Sequence, residues 1–152
     1  MVRWPVRTDS GVVVFMHAYL KRAAALLVLA AGIGLASAHT SQIVLSGAQE
    51  VPAVQTSGRG HATITVTRQR RVSGDVVVHG IRPFMVHIHQ GARGTNGPIV
   101  IWLKRGADHT WYVPAGSRLT PAQYREYLAG DLYLNVHTHK HPAGAIRGQI
   151  EP

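Results

Sequence analysis

The sequence predicts an all-β domain, an antiparallel Greek-key sandwich or barrel with one short helix, preceded by a signal peptide. Three observations carry this. Apolar and polar residues alternate in short runs, most clearly in Arg59–Thr67 and residues 131–138, which is the period of half-buried antiparallel strands. Turn signals rich in Gly, Pro and Asn separate the runs at short intervals. One segment, around residues 120–130, carries helix start and stop signals.

The amino end reads as an export signal. Lys21-Arg22 precede an apolar run over residues 23–35, and Ala36-Ser37-Ala38 follows. A charged stretch, an apolar stretch and a small-x-small site, in that order, make a secretory signal peptide. The apolar run is shorter than the about 20 residues of a membrane-spanning helix, so no span is expected after cleavage. Met16 is the expected start, with residues 1–15 an upstream extension or a long leading region. The chain then divides into residues 1–38, extension and signal, and residues 39–152, one β domain. Cleavage after Ala38 sends this domain to the periplasm or out of the cell. A domain of this size can be stabilised by its core alone. It must be, because the chain has no cysteine, although an oxidising compartment would permit disulfides.

Residues 39–152 carry 12 Lys and Arg against 6 Asp and Glu. The excess is dispersed. Arg68, Arg70 and Arg71 form its one cluster, at an expected hairpin turn. Aromatic and basic residues do not interleave as in single-strand binders, and export also argues against a nucleic-acid partner.

A first strand is expected over residues 42–48, with Ile43 and Leu45 on one face. Residues 47–52, GAQEVP, make a turn. Arg59–Thr67 points Ala62, Ile64 and Val66 inward and Thr63, Thr65 and Thr67 outward. Val72–His79 follows, with Gly74 expected as a bulge. Met85–Gln90 is the next strand. Residues 98–103 are apolar and β-branched, which favours a buried strand, and residues 111–113 make a short extended piece. The helix begins at Thr120-Pro121-Ala122-Gln123, with Thr as N-cap, Pro at N1 and Gln closing a capping box. It covers residues 121–129, packs through Tyr124, Tyr127 and Leu128, and stops at Gly130. Residues 131–138 and 145–150 are the last strands, joined by Pro142-Ala143-Gly144.

The candidate chemistry lies at His87-Ile88-His89. In a strand, Val86 and Ile88 face the core while His87 and His89 share the other face, about 6.6 Å apart. Residues 91–98, with three glycines, an Asn-Gly pair and a proline, form a tight loop. In residues 131–138, Tyr133, Asn135 and His137 share the face opposite Leu132, Leu134 and Val136. His137 is the expected third ligand beside His87 and His89. His139 and His141 are the alternative third ligands, and otherwise loop residues. Three neutral imidazoles suit copper or zinc; the same side chains on an outer strand face would be solvated and metal-free. His61, His79 and His109 have no partner by spacing. Glu50 either orients a ligating histidine or holds its turn through backbone bonds, and the turn role is expected.

Several motifs resemble one family. LSGAQEVPAV at residues 45–54, HIHQGARGTNGPIV at 87–100, Leu119-Thr120 with Gly130, and LYLNVHTHKHPAGAIRGQI at 132–150 are similar to the CHRD, or chordin-type, domain, from about residue 43 to residue 150. The resemblance implies an extracytoplasmic all-β domain, single in bacteria and repeated in animal chordins, and implies little about activity. GIRPFMVHIHQG at 80–91 is also similar, more weakly, to the copper–zinc superoxide dismutases. These carry a His-x-His copper pair before a glycine-rich loop and take a further copper histidine from near the chain end, a role that His137 would match. The departures are large. There are no cysteines for the disulfide, no run of histidines with an aspartate between Gly91 and Leu119 for a zinc site, and no counterpart of the bridging histidine. The likeness implies a similar fold and a metal trio, not dismutase activity.

Three functions follow. The first is an exported metal-binding domain, with copper ahead of zinc. The second is an interaction module that docks another extracellular protein through its loops, the histidines being incidental. The third is a metalloenzyme acting on a reactive oxygen species. No nucleophile–base–orienter trio stands out, so hydrolysis without a metal is not expected.

Overall fold

The computed structural model describes residues 38–152. The upstream extension and signal peptide expected over residues 1–38 lie outside the described residues, except for Ala38. The strands are β1 (Ala38–Ser46), β2 (Arg59–Thr67), β3 (Val72–His79), β4 (Met85–Gln90), β5 (Ile99–Trp102), β6 (Lys104–Arg105), β7 (Thr110–Tyr112), β8 (Leu132–His137) and β9 (Ile146–Ile150). One helix, α1 (Pro121–Leu128), precedes β8.

All paired strands are antiparallel, in the order β5-β4-β8-β9-β1-β2-β3-β7-β6. The two ends of that order meet in one stretch of chain. Trp102 pairs with His87 of β4, the N–H of Leu103 donates to Val86 O at 3.0 Å, and Lys104 then pairs with Tyr112 of β7. The sheet thereby closes into an almost complete barrel and leaves few free edges. The β1–β9 seam carries the single ladder pair Ser46↔Arg147.

The core lies on the inner face. Leu45, Ile64, Val76, Val78, Leu134, Val136 and Ile146 are fully buried there. The β4–β8–β9 register lays Val86, Val136 and Ile146 in one transverse row, so alternation in sequence becomes layers in the barrel.

Some elements differ from expectation. β1 starts and ends earlier than residues 42–48, because Gly47–Gln49 turn as a short 3-10 segment. Gly74 is not a bulge: it pairs with Ile64 in continuous register. It is glycine because its φ is +135° and a Cβ would lie 1.9 Å from Thr63 O. The irregularity falls instead between Ile88 and His89 in the β4–β5 ladder. α1 has the expected capping box, with Thr120 accepting from the Gln123 N–H and Gln123 accepting from the Thr120 N–H. Its packing residues are Tyr127, buried, and Tyr124, half-buried. Leu128 is 54% exposed and takes no part in that packing, since it is the last helical residue and points away from the face that carries Tyr127.

Candidate metal centre

The second face of β4, β8 and β9 is polar in sequence and yet buried. Its register sets Trp102, His87, Asn135 and Arg147 in one row across four strands, and His89, Tyr133 and Gln149 in the next. Met85 and His137 face each other at the end of β4. The loops at residues 50–57, 91–98 and 138–144 contribute partners to these side chains. His87, His89 and His137 are 1%, 8% and 6% exposed. The pair expected on an outward face is therefore inside the protein, because loops rather than solvent cover that face.

The trio converges. One ligand atom from each of His87, His89 and His137 lies within 4.8 Å of the others. Tetrahedral zinc with Zn–N bonds of about 2.0 Å holds its nitrogens about 3.3 Å apart, so the remaining gap is within the reach of side-chain rotation. His89 Nδ1 donates to Gly97 O at 2.9 Å, and His137 Nδ1 donates to Pro142 O at 3.0 Å. A carbonyl can only accept, so both rings carry their proton on Nδ1 and keep a lone pair on Nε2. His137 Nε2 lies 3.1 Å from His87 Nδ1, which makes His87 the donor in the neutral trio. His87 Nε2 and His89 Nε2 are buried with no hydrogen-bond partner. Buried polar atoms are rarely left so, and two such nitrogens in one histidine cluster fit a metal.

Electrostatics supports the neutral state. Burial, then the neighbouring His137 and His89, pushes His87 down to about 4. Burial also lowers His89 and His137, against the opposing effect of their carbonyl partners. All three rings are thus held neutral: His87 and His89 keep a free Nε2 lone pair, while that of His137 accepts from His87 Nδ1–H.

The surroundings are rigid. Tyr133 stacks on His89 with ring centroids 5.1 Å apart, and the Arg147 guanidinium lies 3.5 Å from the Tyr133 ring centre. Arg147 donates to Thr95 O, Ala92 O and Gln149 Oε1, pinning the loop that supplies Gly97. Gly97 itself approaches so closely that a Cβ would sit 1.9 Å from Gln90 O. On the opposite side Trp102, 57% exposed, presents itself edge-on to His87 at 4.1 Å between ring centroids.

The family model for the CHRD domain matches residues 41–150. The chain belongs to the CHRD family. No curated protein and no solved structure matches the chain.

Within this CHRD domain the other sequence candidates fall elsewhere. His139 is exposed and stacks on Phe84 at 4.7 Å. His141 closes a turn with Thr138 through its backbone. Neither joins the trio. His61, His79 and His109 are exposed. Glu50 is buried and takes a hydrogen bond from Asn135 Nδ2 at 3.4 Å, while its second oxygen is unpartnered. Its backbone N–H holds the turn by donating to Gly47 O, but its side chain reaches across to β8 and touches no ligand candidate. Sequence reasoning missed Trp102, Arg147 and the carbonyls of Gly97 and Pro142. Alternation along β8 had put Tyr133 on the correct face, but spacing alone carries no signal for a carbonyl partner or for the strand that flanks His87.

Proposed function

We propose that this CHRD domain is an exported metal-binding domain whose copper or zinc ligands are His87, His89 and His137. The observation that carries the reading is the pair of buried, unpartnered Nε2 atoms of His87 and His89, beside a His137 whose Nδ1 is tied to a carbonyl. The chain's own contribution is to fix tautomers through Gly97 and Pro142, to exclude water by burial, and to keep each imidazole neutral. A bound copper or zinc ion would supply a Lewis-acidic centre that can take a small ligand. Copper ranks ahead of zinc on the likeness of the His-x-His strand to copper sites. Dismutase activity is not part of the proposal, since the loop that would carry a zinc site offers only Asp108 and His109 between Gly91 and Leu119.

The test is a copper and zinc titration of the purified protein beside His87→Ala, His89→Ala and His137→Ala. Each change should weaken binding by at least the about 10–100-fold that loss of an orienting partner costs. His139→Ala and His141→Ala should leave it unaltered. Wild-type affinity should weaken as pH falls, with the loss setting in below the ordinary histidine value because burial lowers all three rings. Unaltered affinity in all three trio variants would overturn the site. Loss in His139→Ala or His141→Ala would move the third ligand.

A further inference from the structure

A second site lies beyond the trio, where residues 80–84, residues 138–141 and the β6–β7 hairpin enclose two adjoining cavities of about 730 and 450 Å³ that share Arg82 and His139. Arg105 lines the first, Lys140 the second, and Arg82 both. Asp108 is the one carboxylate among the residues lining either cavity. Among the described residues the ion pair is Arg93 with Glu151, so the chain neutralises none of these three cations. Charge left unpaired along a cleft attracts anions. The cations are spread over both cavities, which suits a ligand with charges spaced along its length.

The aromatic groups narrow the choice. The Arg105 guanidinium covers the Trp111 ring at 4.9 Å, and the same arginine donates to Pro83 O. His139 covers Phe84. Trp111 is buried and one face of Phe84 is covered, so these rings offer little open surface on which single-stranded nucleic acids stack their bases. A protein partner would want an apolar anchor at the centre of its interface. The exposed large hydrophobics Val44, Ile99, Trp102, Tyr112 and Leu128 all lie outside both cavities. What fits is a flexible polyanion with neither bases nor apolar anchors. We propose that this cleft binds an acidic polysaccharide, through carboxylate or sulfate groups held by Arg82, Arg105 and Lys140. The site is independent of the metal reading.

The experiment measures binding of the purified protein to a heparin-derived oligosaccharide and to an oligouronate at rising salt. Neutral dextran, polyglutamate, oligodeoxythymidylate and inorganic tripolyphosphate serve as comparison probes. Both acidic sugars should bind, with affinity falling steeply as salt rises, and dextran should not. The pair Arg82→Glu and Lys140→Glu should lower affinity about tenfold or more. The pair Arg68→Glu and Arg118→Glu, the same charge change outside the cleft, should lower it less than about threefold. Melting curves establish that both doubles are folded; the milder Arg82→Gln and Lys140→Gln carry the test if the first double is not. Equal losses in the two doubles would reduce the effect to net charge and overturn the site. Polyglutamate or oligodeoxythymidylate binding as tightly as the sugars at physiological salt would overturn the choice of partner. Full displacement by tripolyphosphate at equal anionic charge would overturn the polymer in favour of a small anion.

Discussion

His87 and Glu50 are buried titratable residues whose shifts oppose each other in stability. His87 has its value lowered from 6.5 to about 4. Between these values the unfolded chain binds more protons than the folded one, so its contribution is complete above pH 6.5 and is lost as pH falls to 4. Glu50 is the reverse case. Burial raises its carboxyl from 4.5 to about 7, against the opposing effects of Arg147 and Asn135. The folded form keeps a proton that the unfolded chain gives up, so this contribution is complete below pH 4.5 and is lost as pH rises to 7. The two slopes oppose each other between pH 4.5 and 6.5. Glu50→Gln removes one of them and preserves an acceptor for Asn135 Nδ2. The variant should therefore gain stability more steeply than wild type over that window. Urea midpoints at half-unit pH intervals measure it; parallel curves would mean that Glu50 is ionised in the folded protein at all these values.

At the scale of elements, β9 has a job that its short apolar pattern conceals. Ile146 and Ile150 face the core, while Arg147 and Gln149 brace the loop at residues 91–98 from the other side, with Gln149 Nε2 donating to Gly91 O and Gly130 O. Arg147 is 1% exposed, and its donors hold the same loop that supplies the carbonyl for His89. Arg147→Met keeps the bulk and removes the donors. We expect a loss of about 2–4 kcal/mol, since carbonyls at Thr95 and Ala92 lose a charged partner. Metal affinity should fall with it, through a looser His89, while His137, tied to Pro142, keeps its place. A variant as stable as wild type would show that the loop is held without Arg147, by Gln149 together with Asn96 and Tyr133, which reach Val51 O and the Gly97 N–H.

At the scale of the molecule, the barrel has a long seam-closing stretch at residues 99–105 and, at β1–β9, a closely packed seam with the single ladder pair Ser46↔Arg147. Its amino edge begins at Ala38, and His39 pairs with Val66. Cleavage after Ala38 would leave that strand essentially whole, because β1–β2 pairing continues to Ser46↔Arg59. Mass spectrometry of protein recovered from the periplasm or the medium should find His39 as the first residue. A form that retains residues 23–35 would refute export by this signal. No helix of the described residues is long and apolar enough to cross a membrane.

Alternation needs only local chemistry, so the strands, the capped helix and the shared face of His87 and His89 could be read directly from the chain. The same period put Tyr133, Asn135 and His137 together on one side of β8. That this side is buried could not be read so, because polar residues on a strand ordinarily mark solvent, and the covering loops come from residues 50–57, 91–98 and 138–144. The position of His137 within the strand already favoured it over His139 and His141 as third ligand, and the fold adds the geometry. The strand ends at His137, where a turn carries His139 out to Phe84. The partners of the histidines were settled later still. A backbone carbonyl is the same in every residue, so only the approach of Gly97 and Pro142 to particular rings could single theirs out. Sequence determined which faces existed; long-range packing decided what each face met.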